Sequence, residues 1–409
     1  MRVLLVHNFT QDYAAGGEAF VVQDEMSLLQ QHEHDVALLK CANAEAMNAS
    51  AFEKMRYFLR APWSKKGYRC MKEKIREHKP DIIHVHNFFM LLSPAIFLAA
   101  SEEGIPVVAT LHNYRYVVPC SQMIRRGKLC TICLGKNPWR ILVHRCYRNS
   151  FLASLLRYRF YYLSQKNHNW WRYIDTFIAL TSAQKDILVQ GGVPEIRISV
   201  KGNSIPEPDE VLLENATTQG AVFAGRLDVE KGVRTLLEAW ADIDYPLTIV
   251  GDGPLKEEVV VAARKNPNIS YGGRVNRSDL MKLFSVASFV IVPSIYHEPF
   301  GLVNLEAMAL KKPVLGARIG AMSVLIQHGE TGLLFAPHDA ADLAEKARLL
   351  ICDQELCEKM GQKARSFYLE EYTPDKNYER LVGIYDQVLH RNTSRIQPNR
   401  CTSELNPRN

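Results

Sequence analysis

Two doubly wound α/β domains, each built on a parallel sheet, are the architecture this sequence predicts. Three observations predict it. Short apolar runs alternate with stretches of helical apolar spacing at intervals of ~25 residues, the rhythm of strand–helix units in a parallel sheet. The same rhythm fills both halves of the chain, and the polar stretch Glu207–Gly220 between them reads as a linker. A length of 409 residues suits two domains of ordinary size.

Composition excludes several classes. Hydrophobic residues make up 47% and charged residues 23%, the balance of a globular chain with ample core. No apolar stretch approaches the ~20 residues that cross a bilayer. The opening MRVLLVHNF reads as a first strand, not a signal peptide. A cytoplasmic protein is expected, and there nine cysteines point to free thiols or a metal rather than a disulfide framework. The net charge of +6 is uneven. Residues 1–205 hold 27 Lys/Arg against 16 Asp/Glu, so the first half is basic and the second acidic. One lobe is thus suited to an anionic surface or ligand, with nucleic acid, anionic lipid and a merely basic surface all open.

Along the first half, Arg2–Val6 is a short apolar run and hence a buried strand. Gly16-Gly17 ends the next loop and opens a helix over Glu18–Gln30. Glycine there lets backbone N–H groups approach a phosphate at the positive helix end. The second strand, Val36–Leu39, ends in Lys40 and Cys41, and no G-x-G-x-x-G follows the first, which argues against a dinucleotide site. Residues 51–79 interleave Phe52, Tyr57 and Trp63 with ten Lys/Arg. That pattern suits a membrane interface or ordinary helices with solvated basic faces equally. Asp81–Asn87 is strand-like, with His84 and His86 on one face; metal ligation and simple packing are both open. Ile105–Leu111 is a strand with His112 at its carboxyl end, where chemistry gathers in such folds. Cys120, Cys130, Cys133 and Cys146 then match the ligand count of a tetrahedral structural zinc, with reduced free thiols as the alternative. Phe151–Arg172 is spaced as an amphipathic helix, Thr176–Leu180 as a strand followed by a helix capped by Ser182, and Ile198–Pro206 as another strand.

In the second half, strand Ala221–Gly225 runs into a loop with Arg226 and Lys231-Gly232, two cations suited to a diphosphate. Leu247–Val250 ends in Gly251-Asp-Gly253-Pro, and Asn268–Gly272 ends in Gly273-Arg274-Val275. Ser278 leads a helix to Ala287. Phe289–Val292 is a strand, then Glu298 lies in a loop before Pro299-Phe300-Gly301. A helix with Leu302, Leu305, Glu306 and Met308 follows. Its free N–H groups, at Phe300, Gly301 and Leu302, form a ready site for phosphate or an oxyanion. Pro313–Gly316 and Gly332–Phe335 are further strands. Residues 339–391 are largely helical, and 392–409 reads as a polar, disordered tail.

Glu298-Pro-Phe-Gly-Leu-Val-Asn-Leu-Glu306 resembles the E-x7-E signature of retaining GT-B glycosyltransferases, family 4 (glycosyl transferases group 1) in particular. Gly16-Gly17, His112, Gly225-Arg226 with Lys231-Gly232, and Gly251–Pro254 agree in order and spacing. The resemblance is strongest in residues 220–335. It implies the GT-B fold, with two Rossmann-like domains facing across a cleft: an acceptor-side domain over 1–206, carrying a Cys-rich insertion at about 120–146, and a nucleotide-sugar domain over 207–375. A helix over 376–391 would cross back to the first domain.

The resemblance also implies roles. Arg226 and Lys231 would neutralise the donor diphosphate, and Glu306 would bind the ribose. Glu298 would bind the donor sugar. Gly16, Gly17, Gly253, Phe300, Gly301 and Leu302 would line the donor site, and Arg274 and Val275 would flank the base. His112 would lie near the reacting sugar. The catalytic set would be His112, Glu298, Arg226 and Lys231. No Asp-x-Asp motif accompanies these cations, so no catalytic metal is expected; zinc on the four cysteines would be structural. The implied activity is transfer of a sugar from UDP or GDP to a hydroxyl of a glycan or lipid-linked acceptor in cell-surface polysaccharide, lipopolysaccharide or glycolipid assembly. An anionic membrane leaflet is then the better partner for the basic half, at the cytoplasmic face, and no nucleic acid is expected. The alternatives are a GT-B enzyme with a soluble acceptor and a non-enzymatic, zinc-stapled module that binds sugar or nucleic acid.

Overall fold

The computed structural model describes residues 1–9, 16–42, 50–89, 91–164, 170–213 and 219–396. The first lobe contains β1 (Arg2–Phe9), β2 (Asp35–Ala42), β3 (Ile82–Asn87) and β4 (Val107–Thr110). A small antiparallel ribbon, β5 (Ile124–Arg125) and β6 (Lys128–Leu129), precedes β7 (Thr176–Ala179) and β8 (Ile198–Val200). The second lobe contains β9 (Ala221–Ala224), β10 (Leu247–Val250), β11 (Ile269–Gly273), β12 (Phe289–Val292), β13 (Val314–Ala317) and β14 (Gly332–Phe335). Two six-stranded sheets result, in the orders β2-β1-β3-β4-β7-β8 and β11-β10-β9-β12-β13-β14. All their pairings are parallel, as the strand–helix rhythm predicts. Helices cover both faces, so β3, β4, β12, β13 and β14 are buried along their whole length. This is why they read as continuous apolar runs rather than alternating ones.

Strand order decides where a ligand can sit. In the second sheet the order reverses between β9 and β12, and in the first between β1 and β3. A crevice opens outside the carboxyl ends at such a switch point. The loops after β9 and β12 flank one crevice; they carry Arg226, Lys231 and Glu298. Thr181 Oγ1 donates to Pro299 O at 3.2 Å and joins the lobes beside it.

The helix Pro374–Ile396 returns to the first lobe, where Leu381, Ile384, Tyr385 and Val388 pack on Val3, Leu5, Ile82, Val108 and Ile178. It corrects the reading of 392–409 as a disordered tail. Asn392–Ile396 belong to this helix, and 397–409 lie outside the described residues. The basic stretch 51–79 forms two helices, Ala51–Arg60 and Lys65–His78. The amphipathic helix expected over Phe151–Arg172 spans Phe151–Tyr162, and a separate 3₁₀ turn covers Trp170–Tyr173. Thr181 rather than Ser182 caps the helix Ser182–Gln190, because its side chain accepts from Gln184 N. Likewise Asn276 caps Arg277–Val286, two residues before the expected Ser278. The linker contains a short helix, Glu210–Leu213. Among the described residues no helix is long and apolar enough to cross a membrane.

Leu381 is fully buried at the seat of the returning helix. Leu381→Ala is expected to cost about 2–5 kcal/mol, read as a lower urea midpoint; an unchanged midpoint would show that this seat does not hold the helix.

Candidate active site

The loop after β9 begins with Arg226 and tightens into a 3₁₀ turn, Val229–Lys231, capped by the Asp228 side chain. Gly232 follows at φ 70°, and an added Cβ there would lie 1.8 Å from Pro293 O. Only glycine lets the β9 loop press on the backbone of the β12 loop. That contact delivers Lys231 Nζ to Glu298, to which it donates a hydrogen bond. Ser294 Oγ donates to the other Glu298 oxygen at 2.8 Å. Burial works against the Lys231 charge, but the adjacent Glu298 carboxylate outweighs it and raises the lysine pKa. Burial and then Glu298 push the Tyr296 hydroxyl up to about 12.

Arg226 is half exposed and is held by Glu230, with Asp228 3.4 Å away. Gln122, from the Cys-rich excursion of the first lobe, donates to the same Glu230 oxygen at 2.7 Å. Glu306 is 5% exposed and faces Arg277 at 3.3 Å. Burial raises its pKa, and Arg277 acts against that rise. The Arg277 guanidinium also lies 3.6 Å from the ring centre of Phe20 on the first-lobe helix Gly17–Gln31. Gly16 starts that helix, and Gly301 starts the helix Leu302–Ala309. The two meet across the cleft: a Cβ on Gly17 would lie 3.2 Å from Leu302 Cδ1. Phe300 is buried, stacking edge-on to Tyr372. The Gly253 loop is tied to the β9 loop by the hydrogen bond Leu255 N to Leu227 O, 2.9 Å.

A buried polar network lies beneath the first-lobe side of the cleft. Lys201 Nζ reaches Glu25 Oε1 at 2.5 Å and Asn377 Oδ1 at 3.0 Å. Glu25 Oε2 faces His86 Nε2 at 3.2 Å, and His86 Nδ1 faces His112 Nε2 at 3.0 Å. Burial opposes the Glu25 charge, but Lys201 and His86 prevail and hold its carboxyl well below the usual range. One of His86 Nδ1 and His112 Nε2 donates to the other. Burial and then His86 hold the His112 pKa well below its ordinary value, so it is a neutral imidazole. Glu25, His84 and His86 bring three candidate ligand atoms within 4.8 Å of one another. His84, however, spends both nitrogens on Tyr385 Oη and Thr110 Oγ1, each at 2.7 Å. His84 is thus not free to ligate a metal through either nitrogen.

Residues 15–206 match the family model described as Glycosyltransferase Family 4, and residues 204–367 match that of Glycosyl transferases group 1. The chain belongs to the family 4 glycosyltransferases. An uncharacterized glycosyltransferase of Methanocaldococcus jannaschii is 32% identical over 181 residues, 44% of this chain and 51% of the relative. This glycosyltransferase spans about half the length of the first curated relatives it matches. Among solved structures, sucrose-phosphate synthase from Thermosynechococcus elongatus superposes with a TM-score of 0.70 at 18% identity, covering 95% of this chain and 99% of the other. Anabaena HepE in complex with UDP and glucose gives 0.63 at 18%, covering 94% and 99%. These likenesses show the GT-B fold.

The glycosyltransferase thus brings Lys231, Glu298, Arg226, Glu306, Gly17 and Leu302 to one cleft, with His112 on the network of the facing lobe. Arg274 is exposed at the end of β11 and Val275 is half-buried; among the described residues Arg274 pairs with no carboxylate. The chain's one Asp-x-Asp, Asp242-Ile-Asp244, precedes β10 at the amino edge of its sheet, away from the cleft. Sequence reasoning missed Arg277, Glu230, Ser294, Glu25 and Lys201, and it singled out His86 without the partners it meets. Only Arg277 had a local signal, a cation just after the helix cap Asn276. Cys120, Cys130, Cys133 and Cys146 are free thiols and part-buried, and Cys120 and Cys133 pack against the first-lobe core; among the described residues no three of them lie within 4.8 Å of one another.

Burial and then His86 lower His7 to about 3, and burial first of all holds His84 and His112 well below their ordinary value. The unfolded chain takes up protons at these sites as pH falls through 6.5, the ordinary value for His7, while the folded chain refuses them. Stability from these groups is therefore present above that pH and lost below it. Glu18, raised by burial to about 7, and Asp24, raised by burial to about 6, act in the opposite sense and offset part of the loss. The net expectation is a Tm that falls from about pH 7 to about pH 5; a flat calorimetric profile would contradict neutral buried histidines.

Proposed function

We propose that the protein is a retaining glycosyltransferase that moves a sugar from a UDP- or GDP-sugar to a hydroxyl of a glycan or lipid-linked acceptor, in cell-surface polysaccharide or glycolipid assembly. The observation that carries this reading is the Lys231–Glu298 pair at the switch point, with Arg226 on one side and Glu306–Arg277 on the other. Lys231 and Arg226 stabilise the charge that develops on the leaving diphosphate. To do so Arg226 exchanges Glu230 for phosphate oxygens. Glu298 is already an ion-pair partner, so it orients Lys231 and accepts hydroxyls of the donor sugar rather than acting as a free base. The leaving phosphate oxygen takes the acceptor proton on the same face, which retains configuration and needs no divalent metal. His112 hydrogen-bonds a sugar hydroxyl from the facing lobe. UDP-sugars are the first donors to test, since a like-folded Anabaena protein holds UDP and glucose. The proposed location is the cytoplasm, at the membrane face.

Thermal-shift screening with UDP- and GDP-sugars tests the donor. Glu306→Ala is expected to weaken donor binding about 10–100-fold and to leave kcat nearly intact. Glu298→Ala is expected to lower kcat about 10²–10³-fold with a smaller effect on Kd. The reverse pattern, or transfer that survives Arg226→Ala and Glu298→Ala together, would sink the assignment.

A structural zinc on Cys120, Cys130, Cys133 and Cys146 is part of the same proposal. Arg157 is 3% exposed near the Cys120 thiol; its Nη2 donates to Ser121 Oγ at 2.6 Å and its guanidinium lies over the Phe89 and Tyr147 rings, while its Nε and Nη1 have no hydrogen-bond partner. Among the described residues no carboxylate pairs with it. Four neutral thiols leave that charge unbalanced, whereas Zn²⁺ with four thiolates carries two negative charges. Ser121, Met123 and Arg126 hold left-handed conformations at φ 70°, 55° and 52°, a backbone that profits from a staple. Metal analysis is expected to find one zinc per chain, lost with a lowered Tm in Cys130→Ser/Cys133→Ser and retained in Cys352→Ser. Natively purified protein without zinc would overturn it.

A further inference from the structure

A second cavity, of about 710 Å³, opens on the first lobe away from the donor cations. Its walls carry Arg60, Lys65, Lys66 and Arg69 together with Tyr57 and Trp63. The volume is that of a small-molecule site. Among the described residues none of these four cations pairs with a carboxylate. The same helix shows the contrast. Further along Lys65–His78, Lys72 meets Glu102 at 2.7 Å and Glu103 at 3.3 Å, and Lys74 meets Glu77 at 3.0 Å. Lys72 and Lys74 are thus neutralised by the protein itself, whereas Lys65, Lys66 and Arg69 at the cavity have no such carboxylate among the described residues. Lys65 and Lys66 also occupy the first turn, where the helix dipole already disfavours positive charge, and no acidic residue stands there to compensate.

The cavity is built, not incidental. Ser64 caps the helix through Gly67 N at 3.0 Å, and Ser64 N donates to Ser93 Oγ at 2.8 Å. A Cβ on Gly67 would lie 2.0 Å from Leu92 O, so the helix start is pressed on the loop after β3. Leu91 and Leu92 of that loop form the opposite wall. The loop begins at Asn87, next to His86, and its Phe89 ring is stacked by Arg115 at 4.1 Å, three residues beyond His112. One loop thus separates the cavity from the His112 side of the cleft.

We infer that this cavity holds the phosphate or diphosphate group of the acceptor, with the four cations on its oxygens and Tyr57, Trp63, Leu91 and Leu92 against the attached sugar or lipid. Calling the ligand an acceptor rests on the glycosyltransferase reading above; the anion site itself does not. A phosphate suits the cluster better than a single carboxylate, because it has more oxygens and more charge to share among four cations.

The probe is inorganic pyrophosphate, titrated calorimetrically into the full chain at fixed salt with excess UDP to occupy the donor cleft. Wild type is expected to bind it, and Lys65→Gln/Lys66→Gln/Arg69→Gln to bind at least about tenfold more weakly, equivalent to about 1.4 kcal/mol. The variant should keep its unliganded Tm and its UDP affinity. Glucose 1-phosphate and farnesyl diphosphate in phosphatidylcholine vesicles then distinguish a soluble from a lipid-borne source; binding of either that the variant loses supports the site. No pyrophosphate binding by wild type, or equal binding by the variant, overturns it. So does a variant that loses phosphatidylglycerol vesicles but keeps pyrophosphate, since that marks a membrane-facing patch. Failure of UDP itself to bind would strike the proposed function instead, and is read separately in the same titrations.

Discussion

The buried ion pair between Glu25 and Lys201 is the constraint on which the rest of the first lobe depends. Both side chains are almost wholly out of water, at 2% and 1% exposure. Charges in that position need close partners, and removing one from such a pair costs about 3–5 kcal/mol. Lys201 takes Asn377 of the returning helix, and Glu25 takes His86. His84 joins β3 to β4 through Thr110 and to the same returning helix through Tyr385. Four separate parts of the chain therefore meet at one charge, directly under His112.

The cleft faces this network with a complementary device. Its cations do not stand free in the structure: Lys231 is held by Glu298 and Arg226 by Glu230. Carboxylates keep these cations placed. Arg226 is half exposed, and its contact with Glu230 reaches the other lobe because Gln122 shares Glu230. The Cys-rich excursion thereby touches the donor side, which neither the cysteine spacing nor the cation loop signals alone.

Much of the site was legible because glycosyltransferase loops carry strong local patterns. Arg226, Lys231 and Glu298 stand beside Gly or Pro residues in strand-end loops, and strand ends are visible as breaks in apolar runs. Glu25 offered no such mark. It sits inside an amphipathic helix and looks like any surface glutamate, and Lys201 looks like a charge after a strand. His84 and His86 invited a metal reading; the partners that make them a hydrogen-bonded core lie 26 and 301 residues away. The boundary errors have the same cause. Asn392–Ile396 is polar and aperiodic, and its helix continues from an apolar face seated on another domain.

The sequence by itself determined the two parallel-sheet lobes, the strand-end loops and the chemistry available in them, because periodicity and turn residues are local properties of the chain. Tertiary structure alone decided which of those groups touch. Placing β9 beside β12 joins Lys231 to Glu298 across 67 residues. Burial of both ends joins Glu25 to Lys201 across 176. Strand order and desolvation set these contacts, and neither is a property of any short stretch of sequence.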